Sequence, residues 1–195
     1  MISCFLNVLA NFLQYFIIEQ DCLKTVYLSK NFKGLLFLTS IIIILIMNNE
    51  ENIKKIIKLV NEQLFFVLCT QGGCQAYGSL IAYTFTNDLK NFFFATSKNT
   101  RKYNLLSKCS KVAAVIDSRC NNMDEFMKID VVTITGNAKQ ISKSEIDYKM
   151  NKGFLKNRHP YLSNFLESDY IALFRIDAEN FFYVNHFQEV FEWKP

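Results

Sequence analysis

The sequence predicts a mainly β protein, an antiparallel barrel with a few peripheral helices, and three observations carry that reading. Aromatic residues are plentiful, with 19 Phe and 9 Tyr against only 6 Gly and 2 Pro, a composition that suits strands and argues against disorder. Short apolar runs follow one another across tight polar turns. Strands do not alternate with long helices, and neither G-x-G-x-x-G nor G-x-x-x-x-G-K-[ST] occurs, which sets aside doubly wound nucleotide folds and P-loops.

The chain has 195 residues, half of them apolar, enough for one domain with a substantial core. Its net charge of +4 is spread along the chain. A dedicated nucleic-acid binder concentrates its basic residues on one face, so that class is excluded.

Residues 1–47 differ from the rest. They are rich in Phe, Leu and Ile and end in GLLFLTSIIIILIM, residues 34–47. That uncharged run is shorter than the roughly 20 residues that span a bilayer, and it lies late for a secretory signal. Three readings stand: a short membrane anchor, an added buried helix, or sequence upstream of the natural product. The last draws on Met47, which is followed at once by NNEENIKKIIKLVNEQ. There Asn48 or Asn49 would cap a helix, Glu50 and Glu51 would suit its N-terminal end, and Ile53, Ile56, Ile57, Val60 and Leu64 recur at helical spacing. The expected organisation is therefore a hydrophobic segment, residues 1–47, and a functional domain, residues 48–195.

Within that domain LFFVLCT (64–70), the turn QGG and CQAYGSLIAYTFT (74–86) form an expected hairpin, and FFFAT (92–96) a third strand. A short helix is expected from about Thr100 to Lys108, with Tyr103, Leu105 and Leu106 on its inner side. KVAAVIDS (111–118) reads as a strand buried on both faces. RCNNMDEFMK (119–128) reads as a polar loop, and DVVTITGNAKQI (130–141) as a long strand with Gly136 at a bulge or close approach. Two helices follow, the second with Pro160 in its first turn. YIALFRID, NFFYVNHF and QEVFEW close the chain as antiparallel strands.

The chemically suggestive stretch is FFFATSKNTRKYNLL, residues 92–106. Thr96, Ser97 and Thr100 bring hydroxyls, Arg101 and Lys102 bring cations, and all stand where a strand ends and a helix begins. A phosphate monoester offers several acceptor oxygens and close to two negative charges; Arg grips two such oxygens at once, and Lys adds a point charge. Either these residues are a solvated helix start or they cradle a phosphate, and the apolar strand before them suits a flat cofactor with a phosphate tail.

The six cysteines, at 4, 22, 69, 74, 109 and 120, form no C-x-x-C pair, and His159 and His186 lie far from them, so no zinc site is expected and the thiols read as free, in a reducing cytosol. Cys69 and Cys74 flank the QGG turn and would face each other across it. The two histidines read as structural, and Asp124 and Glu125 as a solvated face.

The order SLIAYTFTNDLKNFFFATSKNTRKYNLLSKCSKVAAVIDSR, then ITGNAKQI, then ALFRIDAENFFYVNHFQEVFEW resembles the pyridoxamine 5′-phosphate oxidase-related, FMN-binding split-barrel family over about residues 50–193. The resemblance implies a six-stranded antiparallel split barrel and a homodimer with FMN at its interface. By position, Thr96, Thr100, Arg101 and Lys102, with Ser97 beside them, would hold the FMN phosphate. Ser79, Leu80, Ile81 and Ala82 would run alongside the isoalloxazine, chiefly through backbone groups. Two departures bear on the substrate: Val131 stands in the strand where pyridoxal-forming members place a glutamine, and the C-terminal FQEVFEWKP has no arginine after Arg175. They count against pyridoxamine phosphate oxidation itself. The expected function is that of a cytoplasmic FMN-dependent oxidoreductase acting on a small molecule; the alternative is a non-catalytic module holding FMN, a deazaflavin or haem.

Overall fold

The computed structural model describes residues 30–119, 129–185 and 189–195. The chain resolves into two compact units, Met1–Met47 and Asn48–Pro195. Helix α1, Lys30–Glu62, has no break at Asn48 or Asn49, so neither asparagine caps a helix start. Among the described residues no helix is long and apolar enough to cross a membrane.

In the second unit the strands are β1 (Phe65–Gly72), β2 (Gln75–Phe85), β3 (Asn91–Ser97), β4 (Lys111–Asp117), β5 (Val131–Ile141), β6 (Ile171–Asn185) and β7 (Glu189–Trp193). Helix α2 (Arg101–Leu106) lies between β3 and β4; α3 (Tyr148–Arg158), a 3-10 turn (Pro160–Leu162) and α4 (Ser163–Leu166) lie between β5 and β6. The sheet order is β3-β2-β1-β4-β5-β6-β7, and β3 also pairs with β6. That pairing closes a six-stranded antiparallel barrel and leaves β7 as an appendage on β6.

Period-2 patterning builds the wall. Phe66 and Leu68, Ile81 and Tyr83, Phe92 and Phe94, Val112, Ala114 and Ile116, Val132 and Ile134, and Phe174, Ile176, Phe181 and Tyr183 meet in one core, joined by Ile56, Leu59 and Val60 of α1. Each large side chain so buried contributes about 1.5–3 kcal/mol. The run of three phenylalanines has a two-sided reason: Phe92 and Phe94 enter the barrel, while Phe93 packs outside with Ile141, Tyr148, Leu155, Leu166 and Leu173 beneath α3 and α4.

The β1–β2 hairpin forms in register from Phe65↔Ala82 to Gly72↔Gln75. Its turn residues Gly73 and Cys74 have φ of 58° and 62°, as a type I′ turn demands. Cys69 pairs with Gly78, so it does not face Cys74. β4 alternates buried and half-buried positions; the strand buried on both faces is instead the start of β6, where four successive residues are buried because the helices cover its outer side. IALFRID and NFFYVN belong to one strand, β6, which serves β3 with its first half and β7 with its second. A register shift at Thr135/Gly136 lets β5 follow it. A Cβ at Gly136 would meet the Asp177 carbonyl oxygen, so only glycine fits that approach. Trp193 of β7 packs on Phe181 with ring centroids 5.0 Å apart, anchoring the last strand in the core. The loop at 120–128, His186, and Cys4, Cys22 and Cys120 lie outside the described residues.

Candidate functional site

The barrel wall is open at one seam. β2 and β3 pair only from Phe85↔Phe92 to Tyr83↔Phe94. Beyond that point β2 stays paired with β1 as far as Gln75, and β3 stays paired with β6 as far as Ser97. Residues 75–82 therefore present a free backbone edge across a split from residues 95–97. Backbone N–H and C=O groups on such an edge are a ready template for a polar ligand or another chain.

The stretch singled out in the sequence closes the far side of this split. Thr100 is the N-cap of α2, its Oγ1 accepting from the Tyr103 N–H at 3.3 Å. The same hydroxyl donates to the Ser97 carbonyl at 2.8 Å and lies 3.1 Å from Thr96 Oγ1. Thr96, which is buried, also reaches the Ser97 carbonyl at 3.4 Å. The two threonines are thus brought together but spend their protons on each other and on the turn. Ser97 Oγ accepts from the Asn99 N–H at 3.3 Å, and among the described residues its own proton has no acceptor.

Arg101 and Lys102 follow on the first turn of α2, Arg101 exposed and Lys102 half-buried. Among the described residues neither side chain has a hydrogen bond or an ion pair. Arg101 instead lies over the ring of Tyr77, its Cζ 5.0 Å from the centroid. α2 is only six residues long, so its dipole adds little, and the attraction for an anion rests on these cations.

Across the split, Tyr77, Ser79, Ile81 and Tyr83 share one face of β2, with Ile81 and Tyr83 in the core. Ser79 Oγ is buried and has no hydrogen-bond partner among the described residues, which is costly unless something satisfies it. Gly78, Leu80 and Ala82 look outward, and Leu80 is 70% exposed. Tyr77 is absent from the sequence-derived set; its alternation with Ser79 and Ile81 is the signal that marks it.

A second arginine, Arg158 at the end of α3, meets β2 further along. Arg158 Nη2 donates to the carbonyls of Val60, Asn61 and Gln63 at 3.0, 2.9 and 2.9 Å, closing the C-terminus of α1, and its Cζ lies 5.4 Å from the Tyr83 centroid. Tyr83 donates to Val60 O at 2.8 Å, and burial pushes its hydroxyl well above the ordinary tyrosine range. His159 is fully buried with Nε2 2.8 Å from Tyr83 O, while its Nδ1 has no partner among the described residues. No cluster of metal-binding side chains occurs among the described residues. Elsewhere, a shallow groove of ≈ 340 Å³ on the outer wall is lined by Cys69, Gln71, Ala76, Lys111, Thr135 and Glu179 among others, and contains none of the expected site residues.

No protein-family model matches the chain, and no curated protein matches it. Solved structures do. A general-stress-protein-26-related protein of the pyridoxinephosphate oxidase family from Clostridium acetobutylicum matches with a TM-score of 0.57 at 16% identity, over 75% of this chain and 95% of that one. The fold is that of the pyridoxamine 5′-phosphate oxidase-like split barrels. Other split barrels that match are a haem-binding protein from Mycobacterium smegmatis, with a TM-score of 0.63 at 9% identity over 71% of this chain, and an FAD-binding protein from Mesorhizobium loti, at 0.52 and 13% over 64% of this chain and 87% of that one. The chain spans 55% of the length of the mycobacterial protein. Split barrels similar to this one thus include flavin-binding and haem-binding proteins.

Proposed function

We propose that this split barrel binds FMN and serves as a flavin-dependent oxidoreductase on a small molecule. The observation that carries the reading is the pair of uncommitted cations, Arg101 and Lys102, at the mouth of a split whose other side holds the free β2 edge and the orphaned Ser79 hydroxyl. Arg101, Lys102 and Ser97 would hold the phosphate, with Thr96 and Thr100 shaping the turn that presents them. The edge at Ser79, Leu80, Ile81 and Ala82 would flank the ring system. Bound FMN would supply hydride or single-electron chemistry, and the chain's part is to anchor, orient and shield it.

The reading includes a homodimer with the flavin at its interface. On the outer face beside the split, Phe65 and Leu80 are 45% and 70% exposed, and Phe65 pairs with Ala82, two residues from Leu80. Apolar side chains grouped at the rim of a site suit cover by a second copy. Haem is the second reading, supported by the similarity to the mycobacterial haem-binding protein. Haem iron takes His, Cys, Met or Tyr as axial ligand; what supports flavin over haem is the pair of cations, Arg101 and Lys102, which suits a phosphate.

The test is the visible spectrum of protein purified from riboflavin-fed cells, with identification of the pigment released on denaturation. FMN near one per subunit is the expected result. A colourless protein that takes up no added FMN overturns the reading, and a haem spectrum moves it to the second.

A further inference from the structure

We infer that Tyr77 is a positioning residue for phosphate recognition: it clasps Arg101 across the split and presets that guanidinium for the phosphate monoester of the flavin nucleotide. The inference rests on the FMN reading above and goes beyond it by assigning a role on the opposite strand. Tyr77 belongs to β2 and Arg101 to α2, which follows β3, so their contact joins the two sides of the wall where the β2–β3 ladder is missing. α2 meets the same hairpin a second time further along, where Leu105 lies so close to Gly72 that a Cβ there would collide with its Cδ2. The helix start is thus braced against β1 and β2, not against β3 alone.

The chemistry of the contact suits a preset donor. A guanidinium lying over an aromatic ring spends its face on the ring, while its N–H groups point outward in its own plane. Arg101 has no hydrogen-bond acceptor among the described residues, so those donors remain available. A long exposed arginine would otherwise lose rotamer freedom each time it gripped an anion, and prior stacking removes part of that cost. Ser79 lies two residues from Tyr77 on the same face of β2, and its buried, unpartnered hydroxyl gives the same side of the split a further polar group in need of a partner.

The role predicts an effect specific to the phosphate. FMN and riboflavin share the ring and ribityl chain and differ by that group, so the ratio of their dissociation constants reads the Arg101 grip. In Y77L the preference for FMN over riboflavin is expected to fall about tenfold, whereas Y77F, which keeps the ring face, stays within about twofold of wild type. In the Y77L/R101A double variant the losses do not add, because Tyr77 acts through Arg101. An unchanged ratio in Y77L, equal weakening of both flavins, or additive losses overturns the inference while leaving FMN binding intact. Failure of the wild-type protein to bind FMN overturns the underlying reading and this one with it. Thermal melts accompany each variant, and Y77T, which keeps a strand-forming residue, gives the same readout if Y77L does not fold.

Discussion

Two arginine–tyrosine stacks stand on one strand, six residues apart, and they have opposite fates. Arg158 lies over Tyr83 and gives its Nη2 group to three carbonyls that end α1, while its buried Nε–H has no partner among the described residues. Arg101 lies over Tyr77 at a similar distance and gives its N–H groups to nothing among the described residues. The ring contact is common to both, so stacking does not distinguish a structural cation from a recognising one. What differs is the supply of acceptors: carbonyls at the C-terminus of α1 take the Arg158 Nη2 group, and none among the described residues takes the N–H groups of Arg101.

The contrast is broken most forcefully at Arg158. R158A removes the donor that Asn61 and Gln63 share, leaving the Val60 carbonyl with the Tyr83 hydroxyl alone, and is expected to cost about 2 kcal/mol of unfolding free energy, while R101A, at an exposed position, shifts stability by no more than about 0.5 kcal/mol. For FMN the order reverses, with R101A weakening retention at least about tenfold, or about 1.4 kcal/mol, and R158A leaving it unchanged in whatever fraction remains folded. Denaturant titrations and equilibrium dialysis of both variants check the crossing, and parallel losses in the two assays would erase the distinction.

A smaller effect is expected at Thr100, where the hydroxyl caps α2 and orders the turn. T100A should cost about 1 kcal/mol and weaken FMN through the turn, whereas T100S, which keeps the hydroxyl, should restore both. The smallest sharpens the comparison from the opposite strand. Ser79 is a buried hydroxyl without a partner among the described residues, so S79A should leave stability unchanged or raise it by up to about 1 kcal/mol, while FMN affinity falls several-fold. A clear loss of stability in S79A would mean that its hydroxyl has a structural partner.

Much of this was legible in the residues. The QGG turn, the alternation through SLIAY and the triple phenylalanine announced the hairpin and the third strand, because turn chemistry and period-2 burial are local. Gly136 announced its close approach for the same reason, since no other residue tolerates the contact with Asp177. The start of α1 was misplaced because the local signals at Asn48 and Asn49 resemble a cap, yet the preceding residues continue the helix. The length of β6 was missed because its central residues read as a turn until β5 follows them through a register shift.

The sequence by itself determined the class of fold and the composition of the candidate site, for both are written in neighbouring residues: apolar alternation between turns, and hydroxyls and cations where a strand yields to a helix. Only the tertiary structure decided where the barrel wall opens, that Thr96 and Thr100 bond to each other, that Arg158 Nη2 closes a helix end, and that Tyr77 meets Arg101. Each of these depends on which groups meet when the strands and helices pack together, and most of the partners stand far apart in the chain. A pattern of single residues carries no record of which of them will be left without a partner once the sheet has closed.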